Sequence, residues 1–212
     1  MTRRRAKRLM AALVVAMLAV IAYTQAGSFL THSAPEVLEV TQTGTGGIPN
    51  YVREEFGDGW ASTEGCDTRN RVLARDLTQV RLAHGSDCVV VSGVLVDPYT
   101  GQRVEFERGT ITSHEVQIDH VVSLAQAWYA GAYAWTYEQR VAFANDQVNL
   151  LAAAGSVNAS KSDASLAEYV PKLSGQSLCD FVTTYAHVAE TYALTLPLAD
   201  REVAEQVQDG CA

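Results

Sequence analysis

The apolar positions of this chain recur with helical spacing in some segments and form β-branched runs in others. Between Thr68 and Leu82 they recur every three or four residues, which predicts a helix over this range. The β-branched run Cys88–Val96, the turn sequence Asp97–Gly101 and the alternating segment Val104–Phe106 together predict a β-hairpin. A third strand is predicted over Val116–Ile118, directly before an Asp-His pair.

Beyond this point the pattern becomes mostly helical. The predicted elements are helices over about Leu124–Tyr133, Thr136–Ala144 and Cys179–Tyr192, a short extended segment at Asn149–Ala152, and a short helix capped by Ser156. Thr136 and Gln139 have the spacing of a capping box, which marks the start of the second helix. The mixture of short strands and helices predicts an α+β fold.

The N-terminal segment has the order of charged, apolar and small residues found in secretory signal peptides. A basic stretch, Arg3–Arg8, precedes 15 apolar residues, Leu9–Tyr23, and then Thr24-Gln25-Ala26. The apolar run is shorter than the roughly 20 residues of a membrane-spanning helix. Thr24 replaces the usual small residue, so an uncleaved signal anchor is the alternative, and both interpretations predict export. We assign residues 1–26 to this signal, 27–48 to a flexible linker and 49–212 to one folded domain.

Composition and charge narrow the possible functions. The 212 residues are 48% apolar and 19% charged, which is ordinary for a globular domain and excludes a disordered or low-complexity chain. Five of the 16 Lys and Arg lie in residues 1–26, so the remainder carries 11 − 24 = −13. Sequence-independent binding to nucleic acid depends on Lys and Arg. Nucleic-acid chemistry on such an acidic body therefore needs a local basic patch or a bound cation.

The predicted exported part contains four cysteines, Cys66, Cys88, Cys179 and Cys211. An even number in an oxidising compartment predicts two disulfides, with free buried thiols as the alternative. Three pairings are possible. We favour Cys66–Cys88 with Cys179–Cys211, because each bridge would close a local loop that contains a helix and the second would fix the C-terminus.

Two short segments carry polar residues that a hydrophobic core would not select. Asp119 and His120 follow the predicted third strand, and Asn158 and Lys161 are three residues apart on the predicted short helix. Carboxylate and amide oxygens suit Mg²⁺, a neutral imidazole can take a proton from water, and an ammonium can meet a phosphate. The alternative is structural, with a polar pair at a strand end and with Asn149 and Asn158 capping turns.

A basic face is predicted on the helix that begins at Thr68. Arg71 and Arg75 lie four residues apart, with Arg69 nearby. This face is either a solvated surface or a local patch that binds phosphates on an otherwise acidic protein. We carry Arg69, Arg71 and Arg75 forward as candidate phosphate contacts.

The order Asp119-His120, Asn149, Asn158 and Lys161 resembles the HNH, or ββα-metal, nuclease motif in a variant with Asn at its third position. Across residues 51–192 the chain is similar to secreted bacterial HNH-family proteins related to the C-terminal domain of GmrSD-type restriction enzymes. The segments that carry this similarity are Tyr51-Val52-Arg53, Phe56-Gly57, Cys66-Asp67-Thr68-Arg69-Asn70, Asp97-Pro98-Tyr99-Thr100-Gly101, Asp119-His120-Val121-Val122 and Phe143-Ala144-Asn145-Asp146.

The resemblance implies a ββα-metal core with additional helices, and an exported endonuclease that hydrolyses DNA or RNA with one divalent metal. It implies His120 as the general base, Asp119 and Asn158 as metal ligands, and Asn149 as the residue that fixes the His120 loop. Lys161 would contact phosphate. Asn158 stands where many HNH enzymes have His, which disfavours zinc and favours Mg²⁺, with Mn²⁺ as the second choice.

Two other classes of function compete with a nuclease. One is a secreted or surface binding module for nucleic acid or protein on a catalytically degenerate HNH scaffold. The other is an exported hydrolase of cell-wall material, which needs a positioned pair of carboxylates, and no such pair stands out in the sequence. We expect a monomer that uses no small-molecule cofactor and that contacts a membrane only through an uncleaved anchor.

Overall fold

The computed structural model describes residues 47–211, so the predicted signal segment and nearly all of the predicted linker lie outside the described residues. The strands are β1 (Ser62–Thr63), β2 (Cys66–Asp67), β3 (Thr78–Leu82), β4 (Val90–Val96), β5 (Arg103–Glu107), β6 (Val116–His120) and β7 (Leu150–Ala154). The α-helices are α1 (Thr68–Asp76), α2 (Leu124–Tyr129), α3 (Tyr137–Ala144), α4 (Gly155–Lys161), α5 (Leu166–Tyr169), α6 (Gly175–Thr191) and α7 (Leu198–Gly210). Short 3-10 turns lie at Arg53–Phe56, Ala132–Ala134, Gln147–Asn149 and Val170–Lys172. Among these described elements, no helix is both long and apolar enough to cross a membrane.

The strands form three small antiparallel sheets. β1 pairs with β2, β4 lies between β3 and β5, and β6 pairs with β7. The β6–β7 pair runs in continuous register from Val116 opposite Ala154 to His120 opposite Leu150. Small antiparallel sheets packed with helices confirm the predicted α+β class.

The predicted helix over Thr68–Leu82 is wrong in its second half. Helix α1 ends at Asp76, Leu77 is extended with φ −90° and ψ 147°, and the following five residues form β3 against β4. The spacing of apolar residues misleads here because Thr78, Arg81 and Leu82 pair with β4, a strand that comes later in the chain.

Two further helix boundaries differ from the prediction. Helix α2 ends at Tyr129, and Gly131, with φ 131°, separates it from the next 3-10 turn. Helix α4 begins at Gly155 without a side-chain cap, so the prediction of Ser156 as its N-cap is wrong. The capping box of α3 is confirmed by hydrogen bonds in both directions between Thr136 and Gln139.

The C-terminal part contains two α-helices that were not predicted, α5 and α7. Helix α6 begins at Gly175, four residues before the predicted start at Cys179, and α7 follows it. In α7 only Ala204 and Asp200 are fully buried, and Val203 and Val207 pack against the core while partly exposed.

The apolar side chains form two clusters, and β7 contributes to both. Ala152 belongs to a cluster with α1, β4 and β6, whereas Ala153 belongs to a cluster made mainly by the later helices. Successive strand residues point to opposite faces, so β7 has one face in each cluster. Ile118 of β6 lies in the first cluster. Asp119, the next residue, therefore points toward the other face.

Helix α4 starts directly from the end of β7 and lies against the chain just before β6. The backbone N–H of Gly155 donates to the carbonyl of Glu115 at 2.9 Å. A Cβ added to Gly155 would lie 2.0 Å from the carbonyl oxygen of His114. Only glycine permits this close approach, which brings the polar face of α4 to β6.

Both predicted disulfides are confirmed, and no cysteine of the described chain is free. Cys66–Cys88 joins β2 to the segment before β4, and Cys179–Cys211 joins α6 to the end of α7. The bridges tie down the two ends of the described domain, where the strands are shortest and the last helix buries few residues.

We expect reduction of both bridges to lower the free energy of unfolding by several kcal/mol. The cysteines are 22 and 32 residues apart, and loops of this size correspond to about 3–4 kcal/mol per bridge in the chain-entropy account. Urea unfolding with and without a phosphine reductant measures the difference, with mass spectrometry confirming zero free thiols before reduction. An unchanged urea midpoint after complete reduction would contradict this expectation.

Candidate active site

The sequences of β6 and α4 place two polar pairs opposite each other. Gln117 and Asp119 are two residues apart on a strand and share a face, and Asn158 and Lys161 are three apart on a helix and share a face. Asn158 Nδ2 donates to Gln117 Oε1 at 2.7 Å, and Lys161 Nζ donates to Asp119 Oδ1 at 3.0 Å. These two hydrogen bonds hold α4 against β6.

Asp119 is a buried carboxylate whose oxygens both have donors. Its exposed fraction is 4%; Oδ1 accepts from Lys161, and Oδ2 accepts from the hydroxyl of Tyr99. Burial raises the pKa of Asp119, while the ammonium of Lys161 and the two hydrogen bonds oppose that change. An ionised carboxylate offers about four acceptor positions. The Asp119 carboxylate therefore keeps acceptor positions with which it could bind a further ligand such as a metal ion.

The sequence analysis missed Tyr99 as a site residue. This tyrosine lies in the turn after β4, and Asp97 fixes that turn by accepting hydrogen bonds from the backbone N–H groups of Tyr99 and Thr100. The second oxygen of Asp97 accepts from the N–H of Ala154 at 2.6 Å, which anchors the turn to β7. The turn sequence was visible, but a turn signature does not show where its side chains point.

His120 is held by two contacts and is neutral at ordinary pH. Its Nε2 lies 2.9 Å from the carbonyl oxygen of Ala144, and its ring stacks on Trp60 with centroids 5.8 Å apart and an interplanar angle of 15°. Because a carbonyl only accepts, Nε2 carries the hydrogen and Nδ1 has the free lone pair. Burial lowers the pKa of His120 to about 4. The side chain is therefore an oriented neutral base.

Asn149 binds the segment that follows His120. Its Oδ1 accepts from the N–H of Val122 at 2.8 Å, its Nδ2 donates to the carbonyl of Val122 at 3.1 Å, and its own carbonyl accepts from the N–H of Val121. The side chain is fully buried. Asn149 thus positions the backbone beside His120 and does not reach the surface.

Asp119, His120 and Asn158 line one open cleft with a volume of about 410 Å³. The other lining residues are Tyr51, Arg53, Ile118, Ser123, Leu124, Ala125, Ser162 and Asp163. Asp163 and Arg53 were not candidate site residues from the sequence. The imidazole of His120, the carboxylate of Asp119 and the guanidinium of Arg53 therefore line the same cleft.

The cleft residues fit a hydrated divalent cation that takes few protein ligands. Asn158 uses its Nδ2 on Gln117, which leaves its carbonyl oxygen available beside Asp119. Within residues 47–211, no group of three or more His, Cys, Asp or Glu is arranged to hold a metal ion. Structural and catalytic Zn²⁺ sites use such groups, whereas Mg²⁺ takes one or two carboxylates and keeps several waters. Asp119 with Asn158 therefore suits Mg²⁺ or Mn²⁺.

Lys161 lies in a different environment from the one predicted. Its side chain is fully buried, and its Nζ donates to Asp119 Oδ1 at 3.0 Å and to the carbonyl oxygen of His120 at 2.8 Å. An ammonium enclosed in this way is not available to a phosphate in the cleft. Lys161 holds the Asp119 carboxylate and the end of β6, which favours a structural role over the predicted phosphate contact.

Each of the three arginines predicted to bind phosphates donates to backbone carbonyl groups, and Arg75 also forms an ion pair with Asp76. The acceptors are Ser113 and Val116 for Arg69, Thr63 and Cys66 for Arg71, and Gln147 and Leu150 for Arg75. None of the three lines the cleft. These side chains tie α1 to neighbouring backbone segments, which favours a structural role over the predicted phosphate contact.

We expect the double variant Arg71→Ala, Arg75→Ala to lose about 1–3 kcal/mol of stability, since a net hydrogen bond is worth about 1 kcal/mol and charged donors are worth more. The slope of DNA affinity against salt concentration should stay unchanged. Urea unfolding and salt titration of binding measure both quantities, with the exposed Arg81→Ala as the matched control. A flatter salt slope at unchanged stability would instead establish a phosphate-binding patch.

Comparison with known proteins covers most of the residues that form this cleft. A family model described as GmrSD restriction endonucleases, C-terminal domain, matches residues 67–196, a range that includes Asp119, His120, Asn149 and Asn158. A protein of Arthroderma benhamiae named "Uncharacterized secreted protein" is 33% identical over 164 residues, which cover 76% of each chain. No solved structure matches the chain significantly. The chain belongs to the family of GmrSD restriction endonuclease C-terminal domains.

Proposed function

We propose that this protein is an exported, metal-dependent endonuclease that hydrolyses phosphodiester bonds in DNA. The observation that carries the proposal is the cleft lined by His120, Asp119 and Asn158. A neutral base can activate water, and an anionic oxygen with an amide oxygen can hold a divalent metal, which together support metal-assisted hydrolysis of a phosphodiester. The family match supports the same class of reaction.

In this proposal His120 removes a proton from the attacking water through Nδ1. The hydrogen bond from Nε2 to Ala144 sets the tautomer, and the stack on Trp60 sets the plane of the ring. Asn149 fixes the backbone on the C-terminal side of His120. The base is therefore oriented before substrate arrives, which lowers the cost of reaching the reactive geometry.

Asp119 and Asn158 are the proposed ligands of a divalent cation. When bound, such a cation stabilises the negative charge that develops on the scissile phosphate and on the leaving oxygen. Tyr99 and Lys161 orient the Asp119 carboxylate. Because Lys161 already neutralises part of the charge on Asp119, we expect the cation to bind more tightly when a DNA phosphate supplies further oxygen ligands.

Export agrees with the covalent structure of the domain. Two disulfides persist in an oxidising compartment, and the Arthroderma benhamiae relative is named as a secreted protein. The predicted N-terminal signal supplies the route. We therefore propose that the enzyme meets its DNA outside the cytoplasm.

Incubation with supercoiled plasmid and with RNA tests the proposed activity. We expect nicking of the plasmid in Mg²⁺ or Mn²⁺ and no nicking in EDTA. The same reactions with RNA show whether the cleft also accepts ribose. DNA binding without cleavage in every metal condition would overturn the proposed hydrolysis and would identify a binding module on the nuclease scaffold.

A further inference from the structure

We infer that the cleft accepts an unpaired nucleic-acid strand, with Arg53 on a backbone phosphate and exposed tyrosine rings against bases. This inference rests on the proposed function, because it specifies which form of the substrate reaches the same cleft. The observations that carry it are the distribution of available cations and the aromatic rings beside the cleft.

Cations available for phosphate binding are scarce on the described domain. Residues 47–211 contain 11 Lys and Arg against 22 Asp and Glu, a balance of 11 − 22 = −11. Six of these cations each donate to two or more protein acceptors, namely Arg69, Arg71, Arg75, Arg108, Arg140 and Lys161. Duplex DNA presents two phosphate chains and is usually bound through many Lys and Arg contacts. The domain is poorly equipped for that mode of binding.

Arg53 is the Lys or Arg residue that lines the cleft in the described part of the chain. It is exposed at the start of a 3-10 turn, and one terminal nitrogen donates to the carbonyl of Gly57 at 3.1 Å. A guanidinium has five N–H donors, so others remain free for a phosphate oxygen. The bond to Gly57 holds the side chain beside the cleft that contains Asp119 and His120.

Exposed aromatic rings border the segment that carries Arg53. Tyr129 is 52% exposed and its hydroxyl accepts from the backbone N–H of Tyr51, which itself lines the cleft. Tyr137 is 47% exposed, and its hydroxyl oxygen lies 3.9 Å from the position of a Cβ on Gly57. Partly exposed rings of this kind leave a face on which a base can stack.

The tyrosine rings and the single arginine at the cleft together favour binding of an unpaired strand over binding of a duplex. The bases of a duplex are stacked on one another, whereas an unpaired base offers its face to a protein ring. Stacking of bases on aromatic side chains, with a cation on the backbone, is how proteins bind single strands without sequence preference. An acidic protein can bind in this mode because stacking does not depend on a large positive surface.

Fluorescence anisotropy of the full-length protein tests the inference, with a labelled 20-nucleotide strand and its duplex in EDTA, where no cleavage is expected. We expect the strand to bind at least ten-fold more tightly than the duplex. Tyr129→Ala and Tyr137→Ala should each weaken strand binding about five-fold or more. Arg53→Ala should weaken it about ten-fold, because it removes a charged hydrogen bond.

Two matched variants separate the predicted contacts from general damage. Tyr129→Phe keeps the ring and should retain strand binding, although it removes the hydroxyl that accepts from Tyr51. Arg81→Ala removes an exposed arginine from the three-stranded sheet, outside the cleft, and should leave binding unchanged. Unfolding curves for all variants confirm that each is folded.

The outcomes distinguish this inference from the proposed function. The inference would be overturned if the duplex binds as tightly as the strand or more tightly. Unchanged strand binding in both Tyr129→Ala and Tyr137→Ala would also overturn it, even if the protein cuts DNA in Mg²⁺. The expected strand preference in a protein that cuts nothing in Mg²⁺ or Mn²⁺ would support the inference and refute the proposed hydrolysis.

Discussion

Replacing His120 with alanine is expected to lower the rate of DNA cleavage by about 10²–10⁴-fold, the usual contribution of a general base. DNA and metal binding should persist, because the proposed ligands Asp119 and Asn158 keep their own partners, Tyr99, Lys161 and Gln117. Single-turnover cleavage gives the rate, and calorimetry gives the metal affinity. The loss should therefore appear in the rate of chemistry and not in affinity.

If His120 is the base, the rate of the wild-type protein should also depend on pH in a specific way. Burial lowers the pKa of His120 to about 4, compared with an ordinary value of about 6.5. The base must be unprotonated to act, so activity should rise as pH increases through about 4 and should already be level near pH 6.5. A midpoint at 6.5 or above would place the reactive histidine in a more solvated environment than the structure describes.

A matched variant separates the base from the hydrogen bond that orients it. In His120→Gln the side-chain amide can still donate to the carbonyl of Ala144, but it offers no basic nitrogen. We expect His120→Gln to be as slow as His120→Ala and more stable. Cleavage at the wild-type rate by either variant would refute the assignment of His120 as the base.

Removing the ammonium of Lys161 is expected to destabilise the domain by about 3–5 kcal/mol, the usual result of leaving one member of a buried ion pair without its partner. In Lys161→Met the buried Asp119 carboxylate keeps the Tyr99 hydroxyl but loses its counter-charge. Urea unfolding followed by tryptophan fluorescence, with both disulfides intact, measures the change. A loss below about 1 kcal/mol would contradict a buried, ionised pair.

Two comparisons make the Lys161 prediction specific. Lys172→Met removes an exposed lysine and should change stability by at most about 1 kcal/mol. Adding Asp119→Asn to Lys161→Met removes the unpaired charge and should recover part of the stability. This non-additivity is the signature of a direct interaction between the two residues.

The parts of the site that depend on local periodicity were predictable from the sequence. The strand ending at Asp119-His120 and the i, i+3 spacing of Asn158 and Lys161 are visible as patterns, and the structure brings these residues together. The disulfide pairing was also predictable, because each bridge closes a short loop. In these cases the period of each element, or the loop that a bridge closes, is visible in the sequence, although the Asp119–Lys161 contact itself joins residues 42 apart.

The parts that depend on long-range packing were not predictable. Thr78–Leu82 has helical apolar spacing, yet it pairs with β4, and no single-segment pattern contains that partner. Lys161 has the appearance of a surface cation, but the Asp119 carboxylate and the carbonyl of His120 enclose its ammonium. Tyr99 reaches Asp119 from a turn whose own signature indicates only a change of chain direction.

Cleavage of DNA in water enriched in ¹⁸O tests the central claim most directly, because the claim is that this cleft hydrolyses phosphodiesters with water as the nucleophile. The wild-type protein is reacted with DNA in Mg²⁺, and the terminal phosphate of the product is analysed by mass spectrometry. We predict one ¹⁸O atom per new phosphate terminus, and no product in EDTA. Unlabelled termini, or no cleavage in Mg²⁺ or Mn²⁺, would contradict the account.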